Sequence, residues 1–123
     1  MWITHETAHV DAPLKTIQNA CPQLSMHIEH CVFLPILCNR SQNPAAGSTL
    51  NIAYTAGARI LELFALEDYI KAYNGHTVVR DMEYFVQVVA LDCAKALGHG
   101  VQLCADIHYE GLNQRQTIRV TIE

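Results

Sequence analysis

The stretch Val101-Gln102-Leu103-Cys104-Ala105-Asp106-Ile107-His108-Tyr109 decides the fold. Val101, Leu103, Ala105, Ile107 and Tyr109 alternate with Gln102, Cys104, Asp106 and His108, the period of a strand with one face on a core. Immediately upstream the period changes. Val79, Met82, Val86, Val89, Cys93 and Leu97 recur at helical spacing, and Gly98 and Gly100 end the run. This helix is apolar around much of its circumference, with Phe85, Val88 and Leu91 off the main stripe, so it is expected to be mostly buried. Before it, Leu63, Leu66, Ile70 and Tyr73 predict a first helix over 63–74, with Asn74-Gly75 as its stop signal.

The outer segments return to a period of two. Downstream, Gly111-Leu112-Asn113-Gln114 reads as a hairpin loop, and Ile118, Val120 and Ile122 mark a strand over 117–123. Upstream, Leu24, Met26, Ile28, Val32 and Leu34 share one face of an alternating run that Pro35 ends. A polar turn segment, 38–47, leads into a second alternating run over 48–55 with Leu50, Ile52 and Tyr54 on one face. Arg59-Ile60-Leu61 adds a short extended piece. The order is ββααββ. It predicts an α+β domain over 24–123, a four-stranded antiparallel sheet with two antiparallel helices on one face. Residues 1–23 read as an N-terminal arm with a short helical turn near Leu14–Asn19.

Composition narrows the function classes. The chain has 123 residues, 50% of them apolar and 16% charged, which is enough apolar material for one core and argues against disorder. No apolar run approaches the roughly 18 residues of a membrane span. The 8 Lys+Arg face 12 Asp+Glu, so no nucleic-acid interface is expected. So few charges on a small domain predict that other subunits cover part of its surface. Met1-Trp2-Ile3-Thr4-His5-Glu6 lacks a basic and then apolar leader pattern, and the five cysteines show no CxxC, so a cytoplasmic protein with free thiols is expected. His5, His9, His27, His30, His76, His99 and His108 include no HxH or HExxH, and His27 and His30 fall on opposite faces of a strand, so no metal is expected.

Cys38 stands apart from Cys21, Cys31, Cys93 and Cys104. It follows a strand end, in a polar loop beside Arg40, where a guanidinium and loop amides lower a thiol's pKa toward a nucleophilic thiolate. Among the carboxylates, Glu62 lies in an apolar run, Asp81 stands where a helix dipole favours a negative charge, and Glu83 lies beside Met82. A carboxylate kept in apolar company can grip the paired N–H groups of a guanine- or pterin-like edge.

With the order ββααββ, Cys38 and these acids, the chain resembles the tunnelling-fold superfamily. Within it the chain looks most like the 7-cyano-7-deazaguanine reductase family, the nitrile reductases of queuosine biosynthesis, a tRNA modification. Lys15-Thr16-Ile17-Gln18-Asn19 with Pro22 resembles that family's lead-in to its first strand. Cys38 takes the place of its nucleophile, and the run through Pro44 to Tyr54 has nearly its spacing. Glu62, Ala65, Leu66 and Tyr69 fit its signature segment. The resemblance implies a thioimide at Cys38, a base held by Glu62 and by Glu83 or Asp81, and NADPH as reductant, with Arg115 in the place of a late cofactor-associated arginine. It also implies subunits whose sheets close into a β-barrel, with sites at subunit interfaces. The chain departs from the pattern at telling places. Phe64 and Glu67 stand where the family has the lysines associated with NADPH. Ala45 replaces its loop aspartate, Asn39 follows the cysteine in place of proline, and Gln116 follows Arg115 in place of glycine. Two further readings compete: a GTP cyclohydrolase-like purine or pterin enzyme, which needs zinc, and a non-catalytic ligand-binding homologue that has lost reduction.

Overall fold

A computed structural model describes residues 8–123. The first part of the expected arm, with His5 and the leader reading of Met1 to Glu6, lies outside the described residues. The chain is α+β, with two helices and two antiparallel sheets. Its elements are β1 (Thr16–Gln18), β2 (His27–Phe33), β3 (Thr49–Thr55), β4 (Arg59–Leu61), α1 (Leu63–Lys71), α2 (Met82–Leu97), β5 (Val101–His108) and β6 (Arg115–Ile122).

The larger sheet has the order β2-β3-β5-β6. Ile52 of β3 sits opposite His30 of β2 and Leu103 of β5, and β5 pairs with β6 from Val101↔Ile122 to His108↔Arg115. The alternation read from the sequence becomes a division of faces. Leu50, Ile52, Tyr54, Val101, Leu103, Ala105 and Ile107 are buried against the helices. The opposite face carries His27, Glu29 and Cys31 of β2 and Arg115, Thr117 and Arg119 of β6, all exposed.

Asp81 starts α2 from an extended conformation, its carboxylate accepting the Tyr84 N–H at 2.9 Å. Gly98 ends the helix in the left-handed region, at φ 78°. Phe85, Val86, Val88, Val89 and Cys93 are buried, but Leu91 is 46% exposed. Leu91 belongs to a solvent stripe at four-residue spacing, Glu83, Gln87, Leu91 and Lys95, so this helix is less enclosed than expected. The first helix stops at Lys71, before Asn74. The Tyr73 N–H donates to the Ile70 carbonyl at 3.2 Å and the Asn74 N–H to Lys71 at 3.1 Å, tight turns that carry Tyr73 into the core. Leu63, expected on the buried stripe, is 61% exposed.

The expected turn near Leu14–Asn19 is a strand instead. Thr16, Ile17 and Gln18 pair with Leu61, Ile60 and Arg59 in a two-stranded ribbon. Arg59 Nε donates to Thr16 Oγ1 at 2.6 Å, and the Asn19 N–H donates to the Ala58 carbonyl at 2.8 Å. A distant partner supplies the hydrogen bonds here, and so overrides local preference.

Gly100 permits a close backbone crossing. A Cβ there would lie 2.2 Å from the Ile122 carbonyl oxygen. Gly100→Ala is therefore expected to cost about 1–3 kcal/mol, the range of overpacking changes, by forcing apart the Val101–Ile122 end of the β5–β6 ladder. Urea unfolding checks it, and a loss below ~0.5 kcal/mol would show that the crossing relaxes freely.

Candidate nucleophile and ligand cavity

After β2 the chain passes Pro35 and buries Leu37, which anchors the next loop. The Leu37 and Cys38 N–H groups both donate to the Asn43 carbonyl, at 3.0 and 3.2 Å, and the Gln42 N–H returns to the Cys38 carbonyl at 2.9 Å. Asn43 then ties this loop to the turn after β5. Its Nδ2 donates to the Glu110 carbonyl at 3.3 Å, and its Oδ1 accepts the Glu110 N–H at 2.7 Å. Buried Ser48 adds a second tie, donating to the Ala45 carbonyl at 2.8 Å and accepting the His108 N–H at 3.0 Å.

The closed loop presents Cys38 with donors on several sides. The Ser41 hydroxyl and backbone N–H are the strongest influence, followed by the Arg80 guanidinium, 3.7 Å from Sγ, and the Arg40 backbone N–H. Together they lower the Cys38 pKa to about 6, so the thiolate predominates at neutral pH. The expected guanidinium was that of Arg40. The one in contact belongs to Arg80, just before α2, and Arg40 contributes its main chain.

A cavity of about 230 Å³ opens beside these groups. Ser41, Asn43, Arg80, Glu83 and Tyr109 are its polar lining, and Pro44, Met82 and Leu112 its apolar lining. Asp81 also lines it, but its carboxylate is engaged in capping α2. Glu83, one residue into the helix, accepts from Gln116 Nε2 at 3.0 Å, and the Tyr109 hydroxyl donates to Gln116 Oε1. Burial first, then the Glu83 and Asp81 charges, raise the Tyr109 pKa, which keeps that hydroxyl protonated.

Glu62 and Arg115 lie elsewhere. The Glu62 carboxylate caps α1, accepting the Phe64 N–H at 3.0 Å and the Ala65 N–H at 2.7 Å. These bonds, with Lys15 nearby, hold its pKa below the usual value. Within one chain no described contact joins Glu62 to Cys38 or to the cavity lined by Arg80 and Glu83. Arg115 pairs with Asp106 on the helix-free face, its guanidinium 3.2 and 3.1 Å from the two carboxylate oxygens. Sequence reading missed Tyr109 and Gln116 as site residues. Their only signal was strand parity, since alternation along β5 and β6 turns both toward the helix side.

His27 and His30 do fall on opposite faces of β2, exposed and half-buried respectively. Among the described residues, no group of three or more His, Cys, Asp or Glu could hold a metal ion, and no helix is long and apolar enough to cross a membrane. No protein-family model matches the chain, and no curated protein matches it.

The Cys38 environment makes a direct prediction. Iodoacetamide alkylation of Cys38 is expected to rise with pH through about 6 and then level off, because the thiolate reacts. Ser41→Ala and Arg80→Ala should each move the rise to higher pH, Ser41→Ala further, since it removes the larger influence. A wild-type profile rising near the ordinary thiol value would overturn the assignment.

Proposed function

We propose that this chain is a divergent tunnelling-fold relative of the nitrile reductases, with Cys38 adding to an electrophilic carbon on a deazaguanine-, purine- or pterin-type base. The observation that carries this reading is Arg80, whose guanidinium contacts the Cys38 sulfur and which lines a cavity that Glu83 also lines. A nitrile carbon placed there accepts the thiolate's electron pair. The carbon–sulfur bond forms, one π bond of the nitrile opens, and the nitrogen takes a proton from solvent water, giving a thioimide. Glu83 holds the base's N–H and amino groups by charge-assisted hydrogen bonds, and Met82, Pro44 and Leu112 cover its faces.

The α1 surface does not fit NADPH. Phe64, 76% exposed, and Glu67 occupy the two signature-lysine places, Asp68 follows, and Lys71 is the helix's cation. A dinucleotide's phosphates would meet carboxylates there. We therefore assign the thioimide a different fate: a primary amine attacks the same carbon, sulfur leaves as Cys38 thiolate, and an amidine is released. The partners of Cys38, a hydroxyl, a guanidinium and main-chain N–H groups, suit a nucleophile better than a zinc ligand, which ranks the cyclohydrolase reading lower.

The test is to mix the protein with 7-cyano-7-deazaguanine and follow the thioimide absorbance, with mass spectrometry to find the added mass on Cys38. An adduct on wild type and none on Cys38→Ala is expected. No adduct on either would sink the reading. Thermal shift with guanine, pterin and deazaguanine bases then separates a binding homologue from a purely structural one.

The proposal includes a homo-oligomer. Among the described residues, the seven-residue β2 and the eight-residue β6 are the two edges of the larger sheet, each paired on one side. The β2 of one copy beside the β6 of the next continues the sheet toward a barrel and satisfies both edges. Glu29 on β2 and Arg115 and Arg119 on β6 give the junction complementary charge. Sedimentation is expected to show a multimer, and a monomer at micromolar concentration would overturn this part.

A further inference from the structure

Tyr109 on the strand side, Gln116 on β6 and Glu83 in the first turn of α2 form one directed line of hydrogen bonds ending at the cavity. We propose that Gln116 is the positioning residue that selects ligands carrying an amino group. This rests on Glu83 being the base-anchoring carboxylate of the function just proposed.

The chemistry of the line fixes its direction. The protonated Tyr109 hydroxyl supplies a hydrogen, so the Gln116 atom facing it is the carbonyl oxygen. The Gln116 NH2 is thereby turned to Glu83, where it donates to Oε2 at 3.0 Å. A carboxylate accepts and does not donate, so the amide has a single orientation that satisfies both neighbours. Glu83 is left with one oxygen held. Among the described residues, no hydrogen bond engages its Oε1.

Strand geometry puts the parts in reach. Gln116 lies opposite Ile107 and shares the inward parity of Ile118 and Val120, so it faces the side on which α2 packs. Tyr109 continues the inward row that ends in β5 at Ile107. Glu83 lies on the exposed stripe of α2, where an unheld side chain would sample several rotamers. The bond from Gln116 removes that freedom before a ligand arrives. A held carboxylate rewards a ligand that donates an N–H to its remaining oxygen. A ligand without that donor leaves the oxygen desolvated and unmatched.

The test uses the Cys38→Ala protein, so that binding is not covalent, and two probes: 7-cyano-7-deazaguanine and its analogue lacking the exocyclic amino group. Calorimetric Kd values are compared for this background and for added Gln116→Ala, Gln116→Glu and Tyr109→Phe. The background is expected to favour the amino-bearing base by about ten- to a hundred-fold, the range of a hydrogen bond to a charged group. Gln116→Ala should reduce that ratio to within about three-fold of unity. Gln116→Glu, which sets a second carboxylate against Glu83, should also lose it. Tyr109→Phe, which keeps the amide but removes what orients it, should fall between. The readout is the ratio of the two Kd values, which a change of stability alone leaves in place. A ratio unchanged in Gln116→Ala overturns this inference and spares the proposed function. A background protein that binds neither base overturns both.

Discussion

Cys38→Ala is expected to abolish adduct formation completely while changing stability by less than about 0.5 kcal/mol, as for a side chain outside the core. The loss should be total because no other thiol can take its place. Burial pushes the Cys93 thiol up to about 12 and shields it at the centre of α2. Cys21 and Cys31 are exposed and Cys104 half-buried, and Cys38 is the thiol held by Ser41 and Arg80, two residues that line the cavity. Substituting each of those three should leave the thioimide signal intact. The rate of adduct formation should follow the Cys38 thiolate, falling as pH drops through about 6, where protonation removes the nucleophile. Stopped-flow absorbance between pH 5 and pH 8 measures it. A signal surviving in Cys38→Ala would transfer the nucleophile elsewhere.

Phe85→Ala is expected to have the largest effect on stability, a loss of about 3–5 kcal/mol. The ring is fully buried and meets Tyr73 edge to face, with centroids 5.1 Å apart. Tyr73 is itself buried, and its single hydroxyl hydrogen has two acceptors in reach, the Tyr69 hydroxyl at 3.1 Å and the Ala8 carbonyl at 3.3 Å. Tyr69 in turn hydrogen-bonds Asp92 at 2.5 Å. Removing Phe85 leaves a cavity beneath the tyrosine pair that joins the helices to the arm. The loss is a large share of the ~5–15 kcal/mol that holds a typical domain together. Phe85→Leu keeps most of the volume and should cost less than about 1.5 kcal/mol. Urea titration of both variants decides it, and equal losses would show that the aromatic contact matters more than the space it fills.

The larger sheet could be read from sequence because one physical rule fixes it. Val101, Leu103, Ala105 and Ile107 reach the core only if the chain is extended, and Gly98 to Gly100 marks where the period changes. The β1–β4 ribbon could not be read that way. Three residues cannot display a period, and what makes Thr16 to Gln18 a strand is Arg59, forty-three residues away in sequence. The same limit hid Arg80, whose approach to Cys38 depends on where the helix–helix turn delivers it. Glu62 shows a different failure. Ser, Thr, Asp and Asn are the residues that usually announce a helix start, so a glutamate in that role looked like a free ligand group. Asp81 carried the usual signal, and the structure uses it as a cap.

The double tie of the Cys38 loop to β5 and the turn after it, through Asn43 and Ser48, bears on the heat of ligand capture. A loop that must order around its ligand contributes a large negative heat-capacity change and an unfavourable entropy when the complex forms. Here that ordering is complete in the free chain, since the loop's bonds run to His108 and Glu110. A small base entering the cavity should therefore show a heat-capacity change no larger than its own apolar faces explain, and an association rate that does not wait on the loop.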